Sequence, residues 1–114
     1  MQKNSFTINA NKTDNFIKKY LNQQKRTFLI HPMKYGVLSG GKKIRSSVII
    51  NTGKMLNLNT SKLIAVCAAV ECIHSYSLIH DDLPCMDNDK LRRGKPSAHI
   101  KFGESTAVLA GNSL

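Results

Sequence analysis

Four of the seven acidic residues of the chain fall in one short stretch, Ser77–Asp89, which reads SLIHDDLPCMDND and carries Asp81, Asp82, Asp87 and Asp89. Carboxylates crowded at the end of an apolar segment repel one another and are costly to desolvate unless something positive compensates. An all-oxygen donor set favours a hard cation, and Mg²⁺ is the natural candidate. This ion takes one or two carboxylates and completes its shell with water and phosphate oxygens. The acidic run therefore suits a metal–phosphate complex better than a closed metal cage. An isolated Asp-Asp pair is more often a solvated loop, so its neighbours decide the reading.

Those neighbours are basic. Arg92-Arg93-Gly94 stands five residues after Asp87. A guanidinium is suited to bidentate phosphate contacts, and adjacent side chains diverge, so the two arginines can serve two separate phosphates. A second basic site is Gly40-Gly41-Lys42-Lys43-Ile44-Arg45. Its glycines allow close backbone approach to a ligand, and the helix start beyond them offers free N–H groups to an anion. Lys42 and Arg45 are three apart and share one face of that helix. Taken alone this segment is an ordinary basic helix start. His74 lies two helical turns before Asp81 and faces the same side, which makes it a phosphate donor candidate rather than only a satisfied core histidine. His80 adjoins the aspartates and is read as structural.

The elements that must position these groups are helical. Residues 1–12 are polar without a clear period and are expected to be a disordered tail. Thr13–Lys25 reads as an amphipathic helix with Phe16, Ile17, Tyr20 and Leu21 on one face, and Asp14 at its start favours the helix dipole. His31-Pro32 marks a break or a short connecting helix. A helix is expected from about Lys42 to Leu56, with Ile44, Val48, Ile49, Met55 and Leu56 as its apolar positions. From Lys62 to about Leu83 the pattern is apolar almost all round, which predicts a centrally buried helix ended by Pro84. Asp87–Pro96 reads as a loop, and Ser97–Leu114 as helix. No segment reads as a strand. The expected class is all-α, in a single partial domain.

Composition sets the bounds. The 114 residues are 41% hydrophobic, enough to bury a modest core. Seventeen Lys and Arg against seven Asp and Glu give a net charge of +10, which points to an anionic partner. No nucleic-acid-binding motif is present, and the ordered basic residues sit in the candidate phosphate sites, so nucleic acid is disfavoured. The three cysteines lack C-x-x-C spacing and their odd number suits a reducing compartment. The opening has no apolar leader, and the longest apolar run, Leu63–Val70, is too short to cross a bilayer. A cytoplasmic protein without a membrane span is expected.

Together these segments resemble the trans-isoprenyl diphosphate synthases. GGKKIR (Gly40–Arg45) resembles the family's GGK-x-x-R motif, and VECIHSYSLIH (Val70–His80) the helix leading into its active site. DDLPCMD (Asp81–Asp87) resembles the first aspartate-rich motif in its longer form, and LRRGKPSAH (Leu91–His99) the family segment just after that motif. KFGESTAVLAGNSL is similar to the start of the next core helix, with Asn112 where Asp is usual. The resemblance covers residues 13–114.

The resemblance implies an antiparallel helix bundle of the isoprenoid synthase type. It implies Mg²⁺ held by Asp81 and Asp87 with Asp82 in support, and an allylic diphosphate contacted by Arg92. It implies that Lys42, Arg45 and His74, assisted by Arg93, hold isopentenyl diphosphate. Tyr76 and Ser77 would line the pocket that limits chain length, where a bulky residue five before the first aspartate favours farnesyl over geranylgeranyl products. Head-to-tail condensation with dimethylallyl or geranyl diphosphate is the implied reaction, and a homodimer the implied assembly. The family's second aspartate-rich motif has no counterpart here, since Glu104 is the only acidic residue after Asp89. The chain is thus expected to be an amino-terminal piece needing a complementary carboxy-terminal half. Alternatives are a geranylgeranyl synthase piece or a non-catalytic, prenyl-diphosphate-binding remnant.

Overall fold

A computed structural model describes residues 5–41 and 43–114; Lys42, one of the expected phosphate ligands, lies outside the described residues. The described residues form six helices: α1 (Ser5–Asn22), α2 (Ile30–Val37), α3 (Ile44–Met55), α4 (Thr60–Asp81), α5 (Ala98–Phe102) and α6 (Glu104–Ser113). Between α4 and α5 lies a minimal antiparallel hairpin, β1 (Leu91–Arg92) and β2 (Lys95–Pro96). The all-α expectation holds apart from that hairpin.

The packing divides the chain into two compact units. Residues 1–23 and 40–71 make up the first, and 24–39 and 72–114 the second. Helix α4 belongs to the first through Glu71 and to the second from Cys72.

In the first unit α1 packs on α3. Helix α1 begins at Ser5, well before the expected Thr13. Its buried stripe is Asn9, Ala10, Thr13, Ile17 and Leu21, at helical spacing. Two of those five are polar, so hydropathy hides the start of the stripe. Thr13 satisfies its hydroxyl locally by donating to the Asn9 carbonyl at 3.0 Å. Asp14 consequently sits in mid-helix, not at a helix start.

Helix α3 turns an unexpected face inward. Ser46, Ser47, Ile50 and Gly53 are buried, whereas Ile44, Val48, Met55 and Leu56 are exposed. Small residues win that face because the helices approach closely: a Cβ added at Gly53 would collide with the Leu63 side chain of α4. Ile50 packs with Ile64 and Cys67 of α4, and Ile49 lies against them. Burial pushes the Cys67 thiol up from its usual range, and contacts with Ser46 and Thr13 only partly offset this.

In the second unit α2 packs on α5 and α6. Its core is Ile79, Leu83, Ala98 and Ala107, with Leu114 against them. Gly36 of α2 and Gly111 of α6 are again sites of close approach, to Ile79 and to the His80 ring.

Helix α4 is apolar all round, as expected, but it is not covered all round: Val66 and Ile73 are 50% and 61% exposed. By length and composition it is also long enough to cross a membrane, which the short Leu63–Val70 run does not reveal. A core helix passes the same test, and α4 carries the buried Glu71 midway and Asp81 at its end.

Two outcomes are expected from this packing. Gly53→Val should cost about 2 kcal/mol of stability by overpacking against Leu63, read as a lower urea midpoint at unchanged slope. Iodoacetamide at mildly alkaline pH should label exposed Cys85 at least about tenfold faster than buried Cys67, read by peptide mass.

Candidate functional site

The acidic turn is built by backbone geometry. Asp82 still makes a helical bond to the Leu78 carbonyl at 3.1 Å, but Pro84 has no N–H with which to continue the helix. The chain folds back instead, with Met86 and Asn88 both donating to the Leu83 carbonyl at 2.9 and 3.0 Å. That return brings the Asp87 amide to the Asp81 carbonyl at 2.8 Å and the Asp89 amide to the Asp82 carbonyl at 3.1 Å. Two of the expected metal ligands, Asp81 and Asp87, are thereby neighbours through their backbones, Asp81 half-buried and Asp87 exposed.

Asp82 does something different. Its side chain is 3% exposed, and both its oxygens accept from Arg92, Oδ2 from Nε and Oδ1 from Nη2, each at 2.8 Å. This is the fork-to-fork geometry that holds a guanidinium best. The hydrogen bond to Asp82 raises the Arg92 pKa above its ordinary value despite partial burial, and the charges of Asp82, Asp89 and Asp81 add to it. Asp82, expected to support a metal, here anchors an arginine. Arg92, expected to face phosphate directly, keeps Nη1 and the second N–H of Nη2 outside that pair.

The hairpin that delivers the arginines has only two residues per strand, with Leu91 opposite Pro96 and Arg92 opposite Lys95. Arg93 and Gly94 at its tip have φ of 52° and 74°. Both central residues with positive φ make this a tight turn of the primed type, which matches the twist of paired strands. The segment expected as a loop is a hairpin because Gly94 makes that turn accessible. Its outer strand is pinned by α2, where the Tyr35 hydroxyl donates to the Pro96 carbonyl at 2.6 Å. Ser97 adds two ties, N–H to the Lys90 carbonyl at 2.9 Å and Oγ to the Asp89 carbonyl at 2.5 Å. Arg93 Nη1 reaches Ser39 Oγ at 3.4 Å. A cleft of about 30 Å³ under the hairpin includes Ser39, Ser75, Asp82 and Lys95 in its lining. It has room for about one water and is too small for a diphosphate.

His74 is half-buried, and the Ser77 hydroxyl donates to its carbonyl at 2.6 Å, so Ser77 is occupied within its own helix. Tyr76 is 39% exposed and meets the His80 ring edge-to-face at 5.5 Å. The His80 ring is itself placed, with Nε2 at 3.1 Å from the Val108 carbonyl of α6.

The basic loop belongs to the first unit. Gly40, Gly41 and Lys43 all have positive φ, at 99°, 103° and 48°. The glycines accept this freely, whereas a lysine in the left-handed region is strained by roughly 1 kcal/mol. Lys43 is buried and its Nζ lies 3.0 Å from Asp14 Oδ1 of α1. The next turn is held by α4, with Ser46 Oγ donating to Glu71 Oε1 at 3.2 Å and Cys67 Sγ to the Ser46 carbonyl at 3.5 Å. Arg45 remains exposed. Tyr35 and Ser39 at the hairpin of the second unit, and the Asp14–Lys43 pair at the basic loop of the first, escaped sequence reasoning, which had no signal linking residues so far apart.

Among the described residues, no group of three His, Cys, Asp or Glu side chains has metal-holding geometry. Of the three carboxylates of the turn that remain outside the Arg92 pair, Asp81 and Asp87 lie on adjacent backbones, with Asp89 two residues further on. Two oxygen donors fit an ion that completes its shell with water and phosphate, and Mg²⁺ is such an ion.

This helical scaffold is that of the isoprenoid synthase class, as its likeness to a solved isoprenoid synthase family member of Thermotoga neapolitana shows (TM-score 0.88, 36% identity, covering 93% of this chain and 41% of that one). Residues 26–114 match the family model described as polyprenyl synthetase, and the chain belongs to that family. It is 56% identical over 89 residues to a farnesyl diphosphate synthase of Buchnera aphidicola, covering 78% of this chain and 32% of that protein. A chloroplastic geranylgeranyl pyrophosphate synthase of Capsicum annuum is 50% identical over 91 residues, covering 79% and 25%. Among solved structures, a geranyltranstransferase of Thermotoga maritima superimposes with a TM-score of 0.90 at 38% identity, covering 96% of this chain and 42% of that one. The chain thus spans between about a fifth and a third of the curated relatives it matches.

The Asp82–Arg92 pair gives a direct check. Arg92→Ala should destabilise the chain by about 2–3 kcal/mol, because it strands a buried carboxylate. Arg92→Lys should recover less than half of that, since an ammonium does not bridge both oxygens. Urea denaturation reads both.

Proposed function

We propose that this chain carries the first part of the active site of a trans-prenyltransferase that makes farnesyl diphosphate. The reaction is Mg²⁺-dependent head-to-tail condensation of isopentenyl diphosphate with dimethylallyl or geranyl diphosphate. The observation that supports this most is the acidic turn joining Asp87 to Asp81 through a 2.8 Å backbone bond, beside Arg92 held on Asp82.

In this reading Asp81 and Asp87 hold Mg²⁺, which when bound neutralises charge on the departing diphosphate. Arg92, oriented by Asp82, presents its remaining N–H groups to the allylic diphosphate and stabilises the charge that grows as the C–O bond breaks. Lys42, Arg45 and His74, with Arg93, hold the diphosphate of isopentenyl diphosphate. Apolar residues of α4 keep water from the allylic cation. The isopentenyl double bond attacks that cation, and a proton then leaves for the released pyrophosphate. The farnesyl product rests on Tyr76, the bulky residue five before Asp81. A geranylgeranyl product is the second reading, favoured by the 50% identity to the Capsicum annuum protein. The proposal further places the protein in the cytoplasm, in keeping with its three free cysteines, and makes it a homodimer in a longer form. With no second aspartate-rich motif in these 114 residues, the chain alone should turn over at background unless a complementary carboxy-terminal half is supplied.

Titration calorimetry with geranyl diphosphate tests the site without needing turnover. Binding should require Mg²⁺ and should fall at least about tenfold in both Asp81→Asn and Asp87→Asn. Binding that persists without Mg²⁺, or that survives both substitutions, would overturn this function.

A further inference from the structure

Lys43 is out of character for its position. It stands between the glycine pair and α3, in left-handed backbone geometry (φ 48°, ψ 53°), and it is a lysine whose side chain is only 5% exposed. Lysines are almost never buried unless paired, and residues with a Cβ rarely adopt that backbone. Both costs are tolerated at one residue because its ammonium is seated on Asp14 at 3.0 Å. The rest of the first turn of α3 is fixed as firmly, through Ser46 to Glu71 and Cys67 of α4. No side chain caps α3, and its first turn has no acidic residue, so nothing within the helix fixes where the loop ends.

We infer that Asp14 and Lys43 are a positioning pair for the basic loop. Asp14 holds the Lys43 ammonium inward, and this sets the backbone from which α3 and Arg45 start. Lys43 is thus the residue of the GGKKIR segment that does not meet the ligand, and α1 is a working part of the site. Helix α1 lies before residue 26, where the family-model match begins. The inference rests on the reading that this loop binds the diphosphate of isopentenyl diphosphate, and adds to it a carboxylate that acts through Lys43 alone.

The sign of one substitution separates positioning from simple electrostatics. Asp14→Asn removes a negative charge from the neighbourhood of an anion site, so Coulomb's law alone predicts tighter binding of a diphosphate. A positioning role predicts the opposite. Titration of isopentenyl diphosphate into the purified chain should show about tenfold weaker binding for Asp14→Asn, and no more than about threefold for Asp14→Glu, which keeps the carboxylate. Amide hydrogens of Arg45–Ser47 should exchange faster in Asp14→Asn while far-UV circular dichroism stays that of the unchanged chain. Equal or tighter binding by Asp14→Asn overturns the inference. Should that variant fold poorly, the charge-exchanged double variant Asp14→Lys with Lys43→Asp replaces it; recovered binding supports the pair, and absent binding overturns it. Failure of the unchanged chain to bind isopentenyl diphosphate overturns the functional reading itself and the positioning role with it.

Discussion

A carboxylate buried to 3% exposure is tolerable only if its charge is answered, and in the second unit Asp82 sets that condition. Removing such a group from water costs several kcal/mol, recovered only when both oxygens are well bonded. Arg92 provides those bonds, and to do so it must arrive on a backbone that turns back over the end of α4. The hairpin is that backbone. Strands of two residues have no stability of their own, so the hairpin exists through its ties to Asp82, Tyr35, Asp89 and Lys90. The arginines are therefore held by tertiary contact and not by local structure.

The first unit uses the same economy of small polar residues in place of bulk. Where α3 meets α1 and α4, the buried positions are Lys43, Ser46, Ser47 and Gly53 beside Ile50. Small side chains let the helix axes approach, at the cost of burying hydroxyls and a charge. Asp14 answers the Lys43 charge and Glu71 accepts from the Ser46 hydroxyl, whereas buried Ser47 Oγ makes no hydrogen bond among the described residues. The apolar residues left outward on α3 and α4, among them Val48, Val66 and Ile73, form surface that this chain does not cover.

Sequence reasoning reached the helical class, the two basic segments and the acidic turn, because each has a local cause: helical periodicity, glycine pairs, clustered aspartates with a proline. It misjudged the start of α1 and the inner face of α3 for one shared reason. Hydropathy assumes that what is buried is apolar, and there the buried residues are Asn9, Thr13, Ser46 and Ser47. The hairpin escaped because an Arg-Gly turn is a weaker signal than Asn-Gly, and two-residue strands leave no alternation to detect. Partnerships such as Asp82 with Arg92, or Tyr35 with Pro96, depend on how the chain returns upon itself, which no local pattern encodes.

The tip of the hairpin places two demands on one residue. At φ 52°, position 93 is a site where glycine, asparagine or aspartate would relax the backbone, and arginine does not. Its guanidinium, at 3.4 Å from Ser39, is what the site gains in exchange. A library of this chain screened for thermal tolerance alone would drift at position 93 toward the small turn formers and shed the cation. Screened for ligand retention, it would keep arginine and carry the strained turn if Arg93 meets a diphosphate as proposed. The residue chosen there records which of the two pressures governed the lineage.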